Sequence, residues 1–207
     1  MEKTELRIVS GTLKGRKVEC EIHPGMRPTP QSVREALFSI LGNAVPGRVF
    51  YDVFSGSGVV GLEAVSRGAT GGRLIERDPK HANVIQKYID RFAVADRVQV
   101  LRADAYRWAE RWVPPAGQPV NLYLSPPFPD LQGVKVFEFA KMVAQLLAKA
   151  PDDSVLVLQV EDGFPIDDLP EPELWDVRRY GRNRLLFRVK EAPAVETPPA
   201  ESPPVQS

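Results

Sequence analysis

Cysteine is nearly missing from this chain. Cys20 stands alone among 207 residues, which rules out an internal disulfide and a cysteine-cluster zinc site. Histidine is almost as scarce, and His23 and His81 lack metal-ligand spacing, so no metal site is expected. Cys20 itself reads as a strand residue. No uninterrupted apolar run is long enough to cross a bilayer and no signal peptide is apparent, so the expectation is a cytoplasmic protein without a membrane partner. A surplus of charge is missing too, since 27 Lys and Arg balance 27 Asp and Glu. The balance hides an uneven distribution: residues 191–207 carry Glu191, Glu196 and Glu201, five prolines and no basic residue, which leaves residues 1–190 at +3. That segment reads as a disordered, solubilising Pro/Glu tail. The rest, in a chain with 43% hydrophobic residues, can bury one substantial core.

Proline is plentiful, and its placement at one point is informative. Ser125-Pro126-Pro127-Phe128 follows the apolar residues 120–124. Two consecutive prolines fix φ and remove two N–H donors, so they end a strand in a stiff turn whose carbonyls point outward. A turn that offers a hydroxyl, rigid acceptor carbonyls and an aromatic face suits a planar amine.

A second pattern points to a nucleoside-bearing cofactor. Residues 48–54 read as a buried strand, and Ser55-Gly56-Ser57-Gly58-Val59-Val60-Gly61 follows, opening a helix through about Arg67. Gly56, Gly58 and Gly61 have the spacing that allows a tight turn and close backbone approach to a ligand. Residues 72–76 read as a second strand ending in Glu76, placed to accept both hydroxyls of a ribose. Asp52, just before the loop, would repel a pyrophosphate and suits a cation, which favours S-adenosylmethionine with its sulfonium and ammonium. Residues 98–101 read as a third strand, and Asp104, in Ala103-Asp104-Ala105, either accepts from the adenine amine, caps the following helix, or does both.

Together these segments carry a resemblance. Asp52-Val53-Phe54-Ser55-Gly56-Ser57-Gly58, Glu76-Arg77-Asp78, Ala103-Asp104-Ala105 and Ser125-Pro126-Pro127-Phe128 resemble the successive motifs of class I S-adenosylmethionine-dependent amino-methyltransferases. Leu6-Arg7-Ile8-Val9-Ser10-Gly11, Lys14-Gly15-Arg16-Lys17, Arg27-Pro28-Thr29-Pro30, Val33-Arg34-Glu35-Ala36-Leu37-Phe38 and Gly61-Leu62-Glu63-Ala64-Val65-Ser66-Arg67-Gly68-Ala69 narrow the likeness to the bacterial 16S rRNA guanine-N2 methyltransferase family, over residues 6–190. The resemblance implies a cofactor site at Asp52, Ser55, Gly56, Gly58, Glu76, Arg77, Asp104 and Ala105. It also implies a catalytic turn at Ser125, Pro126, Pro127 and Phe128, where Ser125 Oγ and the Pro126 carbonyl take the N2 hydrogens and Phe128 stacks on a base that is flipped out or lies in a loop. The implied partner is 16S rRNA in the small subunit or an assembly intermediate, and the implied state is a monomer. One departure stands out: the family usually carries Asp at position 125, and Ser125 brings no negative charge. Asp130, five residues on, is the candidate to compensate.

The basic residues form two clusters. Residues 6–11 and 16–22 read as a hairpin whose tip gathers Lys14, Arg16 and Lys17, with Arg7, Arg27 and Arg34 adding charge before a helix at residues 31–41. Val33, Leu37, Ile40 and Leu41 are that helix's expected apolar face. Near the other end, Arg178-Arg179-Tyr180-Gly181-Arg182-Asn183-Arg184 mixes charge with an aromatic and a turn. Such clusters hold phosphates, so Arg7, Lys14, Arg16, Lys17, Arg27, Arg34 and Arg182 are the expected RNA contacts.

Further helix patterns at residues 79–92, 105–112 and 134–149 alternate with the strands and with residues 154–160. That order predicts a Rossmann-like doubly wound α/β fold with a mostly parallel seven-stranded sheet. The resemblance implies that the last strand, residues 184–189, lies antiparallel beside residues 154–160, with residues 177–180 in the same hairpin. The expected units are residues 1–30, an RNA-contacting hairpin extension; residues 31–190, the methyltransferase domain; and the tail, residues 191–207. Competing readings are a nicotinamide-dependent oxidoreductase, a DNA adenine-N6 or cytosine-N4 methyltransferase, and a catalytically idle RNA-binding relative.

Overall fold

Alternation of side chains along extended strands decides which layer each helix joins. The computed structural model describes residues 2–22 and 28–191; Arg27, His23 and residues 192–207 of the expected tail lie outside it. Two strands, β1 (Glu2–Arg7) and β2 (Lys17–Ile22), pair antiparallel as a separate hairpin. The helix α1 (Gln31–Leu41) then leads into β3 (Val49–Val53), α2 (Val59–Ser66), β4 (Gly71–Glu76), α3 (Pro79–Arg91), β5 (Val98–Arg102), α4 (Ala105–Arg111), β6 (Val120–Leu124), α5 (Lys135–Lys149), β7 (Val155–Glu161), β8 (Asp176–Tyr180) and β9 (Asn183–Val189). The seven-stranded sheet has the order β5-β4-β3-β6-β7-β9-β8, parallel except that β9 inserts antiparallel between β7 and β8. The Rossmann-like doubly wound sheet expected from the strand-helix alternation is therefore present.

Residues two apart on a strand share a face. Phe50, Leu74, Tyr123, Val155 and Val157 pack against α1, α2 and α3, whereas Tyr51, Val53, Ile75, Leu122, Leu124, Leu156 and Leu158 pack against α4 and α5. Helix starts are set locally. Asp78 accepts from the amides of Lys80 and His81 ahead of α3, and Pro79 occupies the position where a missing N–H costs nothing. In α1 the buried stripe is rotated from the expected one: Phe38 is in the core and Ile40 is exposed. Arg34 belongs to the observed buried stripe, paired with Glu63 of α2.

The hairpin lies along α2 and α3 with its turn at their far ends. Gly11, at φ 81°, is essential there, because a Cβ would sit 1.7 Å from the Ser66 carbonyl oxygen. Thr12 N donates to that oxygen and Leu13 N to Ser66 Oγ, both at 2.8 Å, while the Arg16 guanidinium lies 5.8 Å over the Phe92 ring just past α3. Among the described residues no helix is long and apolar enough to cross a membrane.

Candidate active site

The chain leaves β3 toward β4 and β5 on one side and later returns to place β6 and β7 on the other. The carboxyl ends of β3 and β6 therefore flank a topological switch point, where open α/β sheets bind ligands. A cavity of about 1050 Å³ opens there, lined by the loop after β3, the ends of β4 and β5, the turn after β6 and the end of β7.

Its first half surrounds the glycine loop. Asp52 is fully buried and its Oδ2 accepts from Gly61 N, 2.9 Å away, in the first turn of α2. That approach requires glycine, since a Cβ at position 61 would lie 2.7 Å from Leu74 Cδ1. Burial pushes the Asp52 carboxyl up to about 8; the Gly61 amide opposes the shift and the nearby Glu76 charge adds to it. Ser55 Oγ donates to the Asp52 carbonyl at 2.6 Å, and Phe54 is held at φ 77° with its ring edge-on to Tyr106. A phenylalanine in this region is strained, and both contacts hold it there. Glu76 Oε2 accepts from Gly56 N and Oε1 from Asp78 N, each at 2.8 Å. The carboxylate is thus fixed in orientation while each oxygen keeps a second lone pair. Asp104 Oδ1 accepts from Tyr106 N and Arg107 N at 3.1 Å, so it caps α4 with one oxygen, and the residue lines the cavity as well. The expected residues Asp52, Ser55, Gly56, Glu76, Arg77, Asp104 and Ala105 all line the cavity; Gly58 does not. It forms the turn at φ 73°, with the side chains of Ile85 and Leu74 packed against it.

The second half is the proline turn. Ser125, Pro126, Pro127 and Phe128 all line the cavity, and Phe128 is half exposed at its rim. Three neighbours were not expected as site residues. Tyr123, Thr29 and Gln159 line the same wall, and the Tyr123 phenol bonds to Thr29 Oγ1 at 2.9 Å and to Gln159 Oε1. A spacing of two from Ser125 was the available signal for Tyr123, hidden because the residue also reads as core. Asp130 requires a correction. It is buried outside the cavity lining, where it accepts from Tyr106 Oη at 3.0 Å and from Lys135 Nζ at 3.1 Å. Its two oxygens are taken up by that pair of contacts, so it does not face the cavity that Ser125 lines.

The basic residues separate. Arg182 and Arg77 line the cavity, together with Lys80. Lys14, Arg16 and Lys17 are exposed on the hairpin, whose tip is fastened to the last residue of α2, about 12 Å along the helix from the glycine loop at 1.5 Å per residue. Lys17 is moreover paired with Glu5 at 2.9 Å, and Arg7 is exposed on β1. Arg34 is a second correction: it is 1% exposed, with Nε 3.2 Å from Glu63 Oε2, Nη1 donating to the Thr29 carbonyl and Nη2 to the Arg7 carbonyl. It holds the interior and touches no outside phosphate. Arg184 is likewise buried, donating to the carbonyls of Glu161 and Phe164.

Comparison with known proteins places this arrangement. The chain is similar to ribosomal RNA small subunit methyltransferase D of Escherichia coli, 37% identical over 127 residues that make up 60% of this chain and 61% of that protein, so it spans about three fifths of that relative's length. Among solved structures it is similar to a hypothetical protein of Thermus thermophilus, with 28% identity and a TM-score of 0.66 over 89% of this chain and 99% of the other. It shares the fold of the T. thermophilus 16S rRNA N2-guanine methyltransferase solved with AdoMet and guanosine, at 22% identity and a TM-score of 0.68, covering 92% of this chain and 50% of that one. The family model described as conserved hypothetical protein 95 matches residues 6–189, most of the chain and all of the seven-stranded sheet, so the chain belongs to this family.

Proposed function

We propose that this protein transfers a methyl group from S-adenosylmethionine to the exocyclic N2 of a guanine in small-subunit ribosomal RNA. The observation that carries the reading is one cavity that joins a fixed ribose-type acceptor, Glu76, to an amine-type acceptor turn, Ser125 to Phe128, at the switch point of the sheet. The names of the Escherichia coli relative and the T. thermophilus neighbour agree with it.

The residues present fit the cofactor. Glu76, held by two backbone amides, suits a ribose diol, Asp104 lines the cavity with a carboxylate suited to an adenine amine, and Asp52 is a buried carboxyl suited to a nearby cation. Bound there, S-adenosylmethionine would supply an electrophilic methyl carbon whose bond to the sulfonium breaks as N2–CH3 forms, leaving a neutral thioether, with the surplus N2 proton passing to water. The protein's part is positioning. Guanine N2 is a weak nucleophile because its lone pair is delocalised into the ring. Ser125 Oγ and the Pro126 carbonyl accept its two hydrogens and favour a pyramidal nitrogen, while Phe128 stacks on the base. Holding the amine in attack geometry supplies most of the rate. A guanine reaches this recess only when unstacked, so the target nucleotide is flipped or lies in a loop.

The test combines calorimetry with S-adenosylmethionine and methylation of small-subunit particles from cells lacking the modification, read by nucleoside mass spectrometry. One N2-methylguanosine per 16S rRNA is expected, and Glu76→Ala should weaken cofactor affinity by at least roughly tenfold, at about 1.5–3 kcal/mol for each charged hydrogen bond lost. Cofactor binding without methyl incorporation into any particle would favour the idle RNA-binding reading. Methyl in DNA adenine or cytosine, or tight binding of NAD instead, would replace the proposal.

A further inference from the structure

Below Ser125 the cavity wall carries a chain of hydroxyl and amide groups that the reaction as described leaves without a task. Tyr123 is 1% exposed on β6, with its phenol bonded to Gln159 on β7 and to Thr29, which precedes α1. Tyr123 and Ser125 are two residues apart in an extended segment, so their side chains leave the sheet on the same side, and both line the cavity. Burial pushes the phenol pKa up, and the neighbouring Thr29 and Ser125 hydroxyls work against that shift.

Valence assigns the direction of each bond. Gln159 Nε2 donates to Asn183 Oδ1 at 3.3 Å, which turns the amide oxygen toward the phenol. An amide oxygen only accepts, so the Tyr123 proton goes to Gln159. Toward Thr29 the phenol oxygen is then an acceptor, and its second lone pair is open to one more donor; the Ser125 hydroxyl stands two residues along on the same face. Serine has one hydroxyl proton. Once that proton is committed to Tyr123, both lone pairs of Ser125 Oγ are left for the cavity. A rotating hydroxyl would otherwise aim its proton at the amine nitrogen and occupy the lone pair needed for attack.

Resting on the methyl-transfer reading above, we propose that the Ser125 hydroxyl donates to Tyr123, so that Tyr123, braced by Gln159 and Thr29, is a positioning residue that makes Ser125 an acceptor-only group toward the substrate amine. The arrangement replaces by orientation part of what a carboxylate at position 125 would supply by charge. It involves no bond-breaking step of its own.

Tyr123→Phe keeps the ring and deletes only the oxygen. Single-turnover methylation of small-subunit particles should fall roughly tenfold, the scale of one neutral hydrogen bond, while S-adenosylmethionine affinity by calorimetry stays unchanged. In a Ser125→Ala background the same change should alter the rate less than about twofold, because no hydroxyl remains to orient. In a Ser125→Asp background it should also have little effect, since a carboxylate has no proton to place. A wild-type rate for Tyr123→Phe, or an undiminished tenfold fall on top of Ser125→Ala, overturns the proposal. A second measurement does not depend on turnover. With tyrosine labelled at 13Cζ and the Tyr123 resonance assigned through Tyr123→Phe, Ser125→Ala should shift that resonance, and an unmoved resonance overturns the bond itself. If the wild type transfers no methyl, the functional reading fails separately, and the resonance still decides whether the hydroxyls are joined.

Discussion

Asp52 and Glu76 are two carboxylates at one site with different surroundings. Glu76 has an amide on each oxygen, whereas Asp52 has one amide and complete burial. Burial therefore decides at Asp52, whose pKa stands at about 8. The sign of the linkage follows. An unfolded Asp titrates near about 4, so the folded state binds the extra proton between there and about 8; the stability this supplies is complete below pH 4 and is lost as pH rises toward 8. A cationic ligand reverses the preference and draws the proton off. We expect S-adenosylmethionine affinity to rise from pH 6 to 8 with release of a fraction of a proton near pH 7, seen as binding heats that depend on the buffer's ionisation enthalpy. Asp52→Asn should remove both effects. Buffer-independent heats for the wild type would show that Asp52 is already ionised.

At the level of elements, one guanidinium reaches the hairpin, the segment before α1 and α2 at once. Arg34 reaches the Arg7 carbonyl at the end of β1, the Thr29 carbonyl before α1 and the Glu63 carboxylate in α2, which also takes Arg67 at 2.7 Å. The cavity depends on these contacts, because Thr29 contributes its side chain to the Tyr123 phenol and its carbonyl to Arg34. Removing one partner of a buried pair leaves the other charge stranded. Arg34→Met is expected to cost about 3–5 kcal/mol in urea unfolding, toward the lower figure because Arg67 still reaches Glu63. Arg34→Met with Glu63→Met should recover part of the loss. A change within about 0.5 kcal/mol, the scale of an ordinary surface substitution, would mean that Arg34 is solvated despite its place.

For the whole molecule, the separation of the cations matters most. Arg77 and Arg182 stand at the cavity, while the hairpin tip is fastened to the opposite ends of α2 and α3. An RNA that delivers a base to the cavity meets the first pair directly and reaches Lys14, Arg16 and Lys17 only by wrapping over the hairpin. Arg77→Ala with Arg182→Ala should therefore lower the slope of log affinity against log salt by about one unit for each phosphate no longer neutralised. Replacing Lys14, Arg16 and Lys17 together should change it less, with cofactor affinity unaltered. The opposite ranking in filter binding at several salt concentrations would mark the hairpin as the main RNA-binding surface.

Much of this protein is determined locally, and that much was legible in the chain. Helix periods predicted α1, α3, α4 and α5 to within one residue and the end of α2 near Arg67, because apolar periodicity and caps such as Asp78 and Asp104 act over one or two turns. The glycine loop, Glu76 and the proline turn were legible for the same reason: each follows a strand, and the topology rule brings strand ends together. What depended on distant partners was not. Arg34 reads as a surface cation until Glu63, 29 residues on, is placed beside it, and Asp130 reads as an open carboxylate until Tyr106 and Lys135 occupy it. Tyr123 reads as core; its second role exists only because β7 brings Gln159 alongside β6 and Arg34 brings Thr29 over the sheet. Charge and hydroxyl groups take their function from what desolvates and bonds them, and for a residue in a three-layer fold those partners lie far along the chain.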